Sequence, residues 1–129
     1  MARSLDRNKA TGYITKAENA LRVSKIAIKE EAYDAAVMNA VHSAINSLDA
    51  LATFFVGKRA SGAHTEVLSI IKGILMPREY EEIQKQFNTI LRMKNESEYQ
   101  PDLMSPKDAE SAFKLAERIL EKVKVKIKS

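Results

Sequence analysis

Three groups of polar residues in this chain have types and spacings that could support chemistry. Asn39, His42, Asn46 and Asp49 are spaced by three, four and three. On a helix that spacing sets an imidazole, two amides and a carboxylate along one face. Lys58, Arg59 and His64 follow within one short stretch, and Arg92, Lys94, Asn95, Glu96, Glu98 and Tyr99 form the third group. A guanidinium such as Arg92 can hold phosphate charge, and an imidazole such as His64 can move protons near neutrality. Tyr99, with a reference pKa of about 10, is a poor substitute for imidazole there. Each group also has a plain structural use. The stripe can be the wet edge of an alanine-rich helix, His64 a residue near a helix start, and 92–99 a helix end closing onto a loop.

Other chemistries do not fit. The chain has no cysteine, so thiolate zinc sites, disulfide frameworks and cysteine nucleophiles are excluded. A carboxylate-bridged di-iron bundle needs Glu three residues before His on two helices, but Asn39 and Ser61 hold those positions before His42 and His64. Gly57-Lys-Arg-Ala-Ser-Gly62 has the two glycines of a phosphate loop, but Ala63-His64 follows where the lysine and the magnesium ligand belong. No metal or cofactor is expected.

The elements that must carry these groups are helices. At 129 residues, 45% apolar and 29% charged, the chain suits one globular domain covering 1–129. Four glycines and three prolines are too few for a turn-rich β-sandwich. Ala50–Val56, the longest apolar stretch, is too short to span a membrane, and the N-terminus lacks a signal-peptide core. A cytoplasmic protein without membrane contact is expected.

Apolar residues recur at helical spacing in five segments. The first runs from near Asp6 to Glu30 and includes Ile14, Ala17, Leu21 and Ile28. The second starts around Asp34, an N-cap type, carries Val37, Ala40, Val41, Ala44, Leu48 and Ala52, and ends at Gly57. The third covers about Thr65–Leu75 and is bounded by Pro77, and the fourth covers Arg78–Lys94. A polar loop follows over Asn95–Met104. The fifth opens with Ser105 as N-cap, Pro106 at the first helical position and Asp108 in the first turn. Its Lys-Val-Lys-Val-Lys-Ile-Lys tail alternates like a strand, but Val123 and Ile127 extend the helical stripe, so it is read as helix that frays after Val125. The fold class is all-α: an antiparallel up-and-down bundle of about five helices with no sheet.

Charge is uneven. The net charge is +4, with seven basic and two acidic residues in 1–29, seven and eleven in 30–104, and seven and four in 105–129. Packed together, the terminal segments would make one positive face for phosphate. Alternatively, Lys122, Lys124, Lys126 and Lys128 simply complement the negative end of the last helix.

The order of features resembles the HEPN family of small bacterial and archaeal helical proteins. The resemblance lies in the run from Ala32 to Leu51, in Gly57-Lys-Arg-Ala-Ser-Gly-Ala-His64, in Arg92-Met-Lys-Asn-Glu-Ser-Glu-Tyr99 and in Asp108–Leu120, and covers roughly residues 10 to 125. It implies a helical bundle that forms a homodimer, and one of two roles. The first is metal-independent RNA cleavage by an Arg and a His with four to six residues between them. The second is a non-enzymatic partnership with a minimal nucleotidyltransferase. The positions open to that His after Arg92 hold Ser97, Glu98 and Tyr99, and Met93 replaces the usual polar neighbour. Arg59 and His64 have the right spacing but lie in an earlier connector, with Ala60 after the Arg.

The resemblance and its missing histidine together point to a homodimeric binding partner of a minimal nucleotidyltransferase. Such a pair would be toxin–antitoxin-like, with RNA or nucleotide contacted through Arg92, Lys94, Asn95, Tyr99 and Arg59. Two alternatives stay open. One is a divergent metal-independent endoribonuclease using Arg92, Tyr99 or His64. The other is an RNA-binding module without chemistry, with salt-sensitive affinity.

Overall fold

The structure, a computed structural model, describes residues 2–4, 7–60, 63–99 and 101–128. Five helices carry it: α1 (Ala10–Lys29), α2 (Tyr33–Val56), α3 (Glu66–Ile71), α4 (Pro77–Tyr99) and α5 (Pro106–Lys128). The expected all-α bundle is present. Two short strands add to it, β1 (Ala2–Ser4) and β2 (Lys58–Ala60), joined as one antiparallel ribbon in which Arg3 lies opposite Arg59. Three-residue strands without apolar alternation give no readable strand signal, so the sequence did not announce the ribbon.

Helix α2 is the axis of the molecule. Ser47 through Thr53 are all buried, seven consecutive residues, which requires neighbours on every side of the helix. Those neighbours are α1, α3, α4 and α5. Alanines at 36, 40, 44, 50 and 52 on α2, and at 109, 112 and 116 on α5, are fully buried and let backbones approach closely. Two serine hydroxyls fix α1 antiparallel to α2: Ser24 Oγ donates to the Ala36 carbonyl and Ser43 Oγ to the Ala17 carbonyl, both at 2.7 Å. Phe87, Ile83 and Ile90 of α4, with Ile119 and Val123 of α5, complete the core.

The helix ends differ from the sequence expectation in informative ways. Helix α1 starts at Ala10, after a 3-10 turn over Arg7–Lys9; the expected start at Asp6 lies outside the described residues. It closes with Ala32 N–H donating to the Ala27 carbonyl and Glu31 N–H to Ile28, with Glu31 left-handed at φ 62°. That is a Schellman ending with glutamate where glycine is usual. Helix α2 starts at Tyr33 with no side-chain cap, because Asp34 is engaged elsewhere: it accepts from Ser97 Oγ and from Met104 N–H. Gly57 is left-handed at φ 72° and ends α2 as its sequence position suggests.

Helix α3 is only Glu66–Ile71, the chain turning before Pro77. Pro77 is the first residue of α4, while Glu79 accepts the Met76 N–H at 3.0 Å. Helix α4 runs five residues beyond Lys94, so Asn95–Tyr99, expected as loop, is helical. The Lys94–Glu98 pair at 3.0 Å and the Ser97–Asp34 bond hold this extra stretch. Helix α5 opens on the expected cap in reciprocal form: Ser105 Oγ accepts from Asp108 N–H, and Asp108 accepts from Ser105 N–H, both at 3.0 Å. Its lysine tail stays helical to Lys128.

Candidate functional site

The central question is whether the polar stripe of α2 meets the far end of α4. The two are linked only electrostatically and through a third residue, since His42 of α2 and Lys94 and Glu98 of α4 all act on His64. Along α2 the stripe passes from exposed to buried: His42 is exposed, Asn39 and Asn46 are half-buried, and Asp49 is only 8% exposed. The two amides are satisfied locally, Asn39 donating to the Ala35 carbonyl at 2.9 Å and Asn46 to the His42 carbonyl at 2.8 Å. His42 and Asp49 are the members of the stripe that reach other elements.

His42 lies in the electrostatic field of His64, which also senses Lys94 and Glu98. One polar cluster therefore draws an imidazole from α2, an imidazole from the stretch before α3, and an ammonium–carboxylate pair from α4. Burial, then the charges of Lys94 and His42, hold the His64 imidazole below its usual value of 6.5, and Glu98 opposes them. His64 is consequently neutral at pH 7 and has a lone pair available to accept a proton. Lys94 is bonded to Glu98 at 3.0 Å, and the charges of both act on His64.

Two turns along α2, Asp49 faces strand β2. Ala60 N–H donates to its carboxylate and the Arg59 guanidinium stabilises its charge, but burial outweighs both and raises the group from 3.8 to about 6. Arg59 is half-buried and turned toward its own strand, with Nη1 3.5 Å from the Ala60 carbonyl.

Arg92 and Tyr99 stand apart from this cluster. They lie seven residues apart on α4, hence on one face, and both are exposed, Tyr99 at 74%. Asn95 is exposed on the same outer half of the helix. Lys94 is about two hundred degrees round from Arg92 and points to the inner side with Ser97, which is bonded to Asp34 of α2. The five residues singled out for nucleotide or RNA contact thus divide between an outer face (Arg92, Asn95, Tyr99), the inner cluster (Lys94) and the β2 connector (Arg59).

The meeting of His42 with His64 was not readable from a separation of 22 residues. Nor was the tie between Asp49 and Ala60, for which no local motif exists. Glu98 could have been paired with Lys94 by the four-residue spacing once helix was assumed there.

The basic terminal segments also turn out partly neutralised. Lys124 reaches Glu18 of α1 at 3.1 Å, Lys126 reaches Glu79 of α4 at 3.4 Å, and Lys122 pairs with Glu82 of α4. Three of the four tail lysines therefore lie in cross-helix pairs.

Among the described residues, no group of three or more His, Asp or Glu side chains is placed to hold a metal ion, and no helix is long and apolar enough to cross a membrane. The family model described as the HEPN domain matches residues 10–126, nearly the whole chain. No curated protein matches it.

Proposed function

The chain belongs to the HEPN family, and on that premise we propose that it works as a homodimeric binding subunit in the cytoplasm. Its partner is a minimal nucleotidyltransferase in a toxin–antitoxin-like pair, and RNA or nucleotide is the accompanying ligand. The observation that supports this reading is the outer face at the end of α4. There Tyr99 is 74% exposed with the exposed Arg92 two turns back, and Leu103, in the connector that follows the helix, is 83% exposed. An aromatic ring, an aliphatic side chain and a guanidinium left in water together have the character of interface anchors.

The test is co-purification with a minimal nucleotidyltransferase encoded beside the gene, together with light scattering of each protein alone and of the mixture. A dimer that retains the transferase, and loses it on Tyr99→Ala with Leu103→Ala, supports the reading. A monomer that retains no transferase overturns it.

A second reading, metal-independent RNA cleavage, is favoured by the neutral His64 beside His42 and Lys94. A neutral imidazole can accept the proton of a ribose 2′-hydroxyl, and an adjacent ammonium can hold the phosphate charge that develops. Labelled single-stranded RNA incubated in EDTA with wild type, His64→Ala and Arg92→Ala tests it. Cleavage lost only in His64→Ala assigns the chemistry to the inner cluster. Cleavage lost only in Arg92→Ala assigns it to the outer face, and no cleavage by any of the three rejects this reading.

A further inference from the structure

We propose that the cavity between the start of α4 and the end of α5 binds an apolar amino acid as its free zwitterion. The side chain rests on the bundle core, and the ammonium and carboxylate lie between two cross-helix ion pairs. This inference depends neither on the transferase nor on RNA chemistry.

The cavity has a volume of 360 Å³, inside the range of small-molecule pockets. It exists because apolar side chains do not fill the seam between the two helices at this end. In the first two turns of α4 only Ile83 is buried, and Phe87 and Ile90 complete the buried face further along. At the cavity's floor Ile83 joins Leu51 of α2 and Val123 of α5, each at most 2% exposed. A floor of aliphatic groups offers water no hydrogen bond and is better covered by an apolar side chain.

The rim is charged, with one sign on each wall. Glu79 and Glu82 stand three residues apart on α4, and Lys122 and Lys126 stand four apart on α5, so each like-charged pair lies on one helical face. All four border the cavity. Lys126 reaches Glu79 at 3.4 Å, and Lys122 pairs with Glu82. Further bonds hold these groups in place. The Met76 N–H donates to Glu79 Oε1 at 3.0 Å, and Lys122 also donates to Gln86 Oε1 at 3.3 Å.

Bonding capacity is left over on both walls. Each glutamate meets its lysine through Oε1, and Oε2 of each accepts no hydrogen bond among the described residues. Each ammonium has three donors; Lys122 uses two and Lys126 one. Spare acceptors therefore face spare donors above an apolar floor. An amino acid carries an ammonium, a carboxylate and a side chain on one carbon, so one small molecule can meet all three. Its ammonium donates to the glutamates, and its carboxylate accepts from the lysines. Partly exposed ion pairs are worth little individually, so they can adjust around the ligand at small cost. Glu121, also on the rim and exposed, adds a carboxylate that repels a ligand with no ammonium.

The experiment follows the methyl signals of Leu51, Ile83 and Val123 by NMR on the full chain during titration with four probes. L-leucine has all three groups, L-leucinamide lacks the carboxylate, N-acetyl-L-leucine lacks the ammonium, and glycine lacks the side chain. Leucine should shift the three residues saturably, and the other probes should bind at least about tenfold more weakly. Glu82→Gln and Lys122→Gln, both at partly exposed positions, should each weaken leucine about tenfold. Lys124→Gln, whose partner is Glu18 of α1, should leave it unchanged. No saturable shift by about 10 mM leucine overturns the proposal. Leucinamide or N-acetyl-leucine binding as tightly as leucine overturns the zwitterion, and glycine doing so overturns the role of the floor. Leucine affinity unchanged in either Glu82→Gln or Lys122→Gln overturns the assignment to this rim.

Discussion

The Ser97 hydroxyl lies 3.2 Å from the Asp34 carboxylate, joining the last turn of α4 to the first turn of α2 across 63 residues of sequence. The same carboxylate accepts the Met104 N–H at 3.3 Å. Asp34 therefore holds both the end of α4 and the chain entering α5. Replacing it with alanine removes a charged acceptor from two part-buried donors. Asp34→Ala should lower stability by about 1–3 kcal/mol, read as a shift in urea midpoint, and should cost the amides of 95–99 their exchange protection. Asp34→Asn, which keeps an acceptor oxygen, should lose less. Equal effects of the two variants would show that neither bond matters.

Because burial comes first in lowering His64, with Lys94 and His42 behind it and Glu98 opposing, its titration is a direct probe of the cluster. Followed by the NMR signals of its ring, the wild-type midpoint should fall below 6.5. Lys94→Met and His42→Asn should each raise it, and Glu98→Gln should lower it further. A folded-state value depressed in this way makes a contribution to stability that is present above the unfolded value and lost as pH falls below it. His64 is only partly desolvated and its surface is largely open to water, so only the direction is expected to register.

Asp49 works in the opposite sense. Its folded value of about 6 stands above the unfolded 3.8, so the folded state binds the extra proton. The associated stability is present below 3.8 and is lost as pH rises through 6. At neutral pH the ionised carboxylate is a net cost of about 3 kcal/mol, since one pKa unit corresponds to about 1.4 kcal/mol. Asp49→Asn should therefore be more stable than wild type at pH 7, by somewhat less than that because Arg59 loses its partner. Denaturant midpoints across the acid range should show the advantage shrinking as pH falls toward 4. An advantage that does not vary with pH would mean that the charge is not its source.

The turn between α1 and α2 offers a separate check on backbone energetics. Glu31 occupies a left-handed conformation, φ 62°, in a Schellman ending that glycine fills without strain. Glu31→Gly should stabilise the protein by up to about 1 kcal/mol, visible as a rise in thermal midpoint. A loss instead would show that the Glu31 side chain contributes more than the strain it imposes.

These positions also show why sequence carried the fold further than the site. The alanine stripe of α2 and the Ser105-Pro106-Asp108 cap encode their structure within a few residues, and both are realised. The helix starts at Tyr33, not Asp34, because a carboxylate of N-cap type was claimed by Ser97 and Met104. The extension of α4 to Tyr99 depends on that same long-range bond. At the site, helical spacing sets His42 and Asp49 two turns apart on α2, but that the one acts on His64 and the other is bonded by Ala60 is set by tertiary packing. The β1–β2 ribbon is a tertiary product too, since neither strand has local patterning to announce it.

A final prediction separates the two basic surfaces. Were RNA held by the terminal helices, Lys122, Lys124 and Lys126 would be its contacts, yet each is paired with a glutamate of another helix. Binding there would have to break pairs that are individually worth little but already neutralise the face. The exposed Arg92, beside the exposed Asn95 and Tyr99, offers a cation together with an aromatic ring on which a base can stack. Measured by fluorescence anisotropy over a range of salt, Arg92→Ala should weaken binding to single-stranded RNA and reduce the slope of log affinity against log salt by about one contact. Tyr99→Ala should weaken binding without changing that slope, because stacking releases no counterion. Lys124→Gln should change neither. If Lys124→Gln instead reduces the slope while Arg92→Ala leaves it intact, the nucleic-acid face lies on α1 and α5.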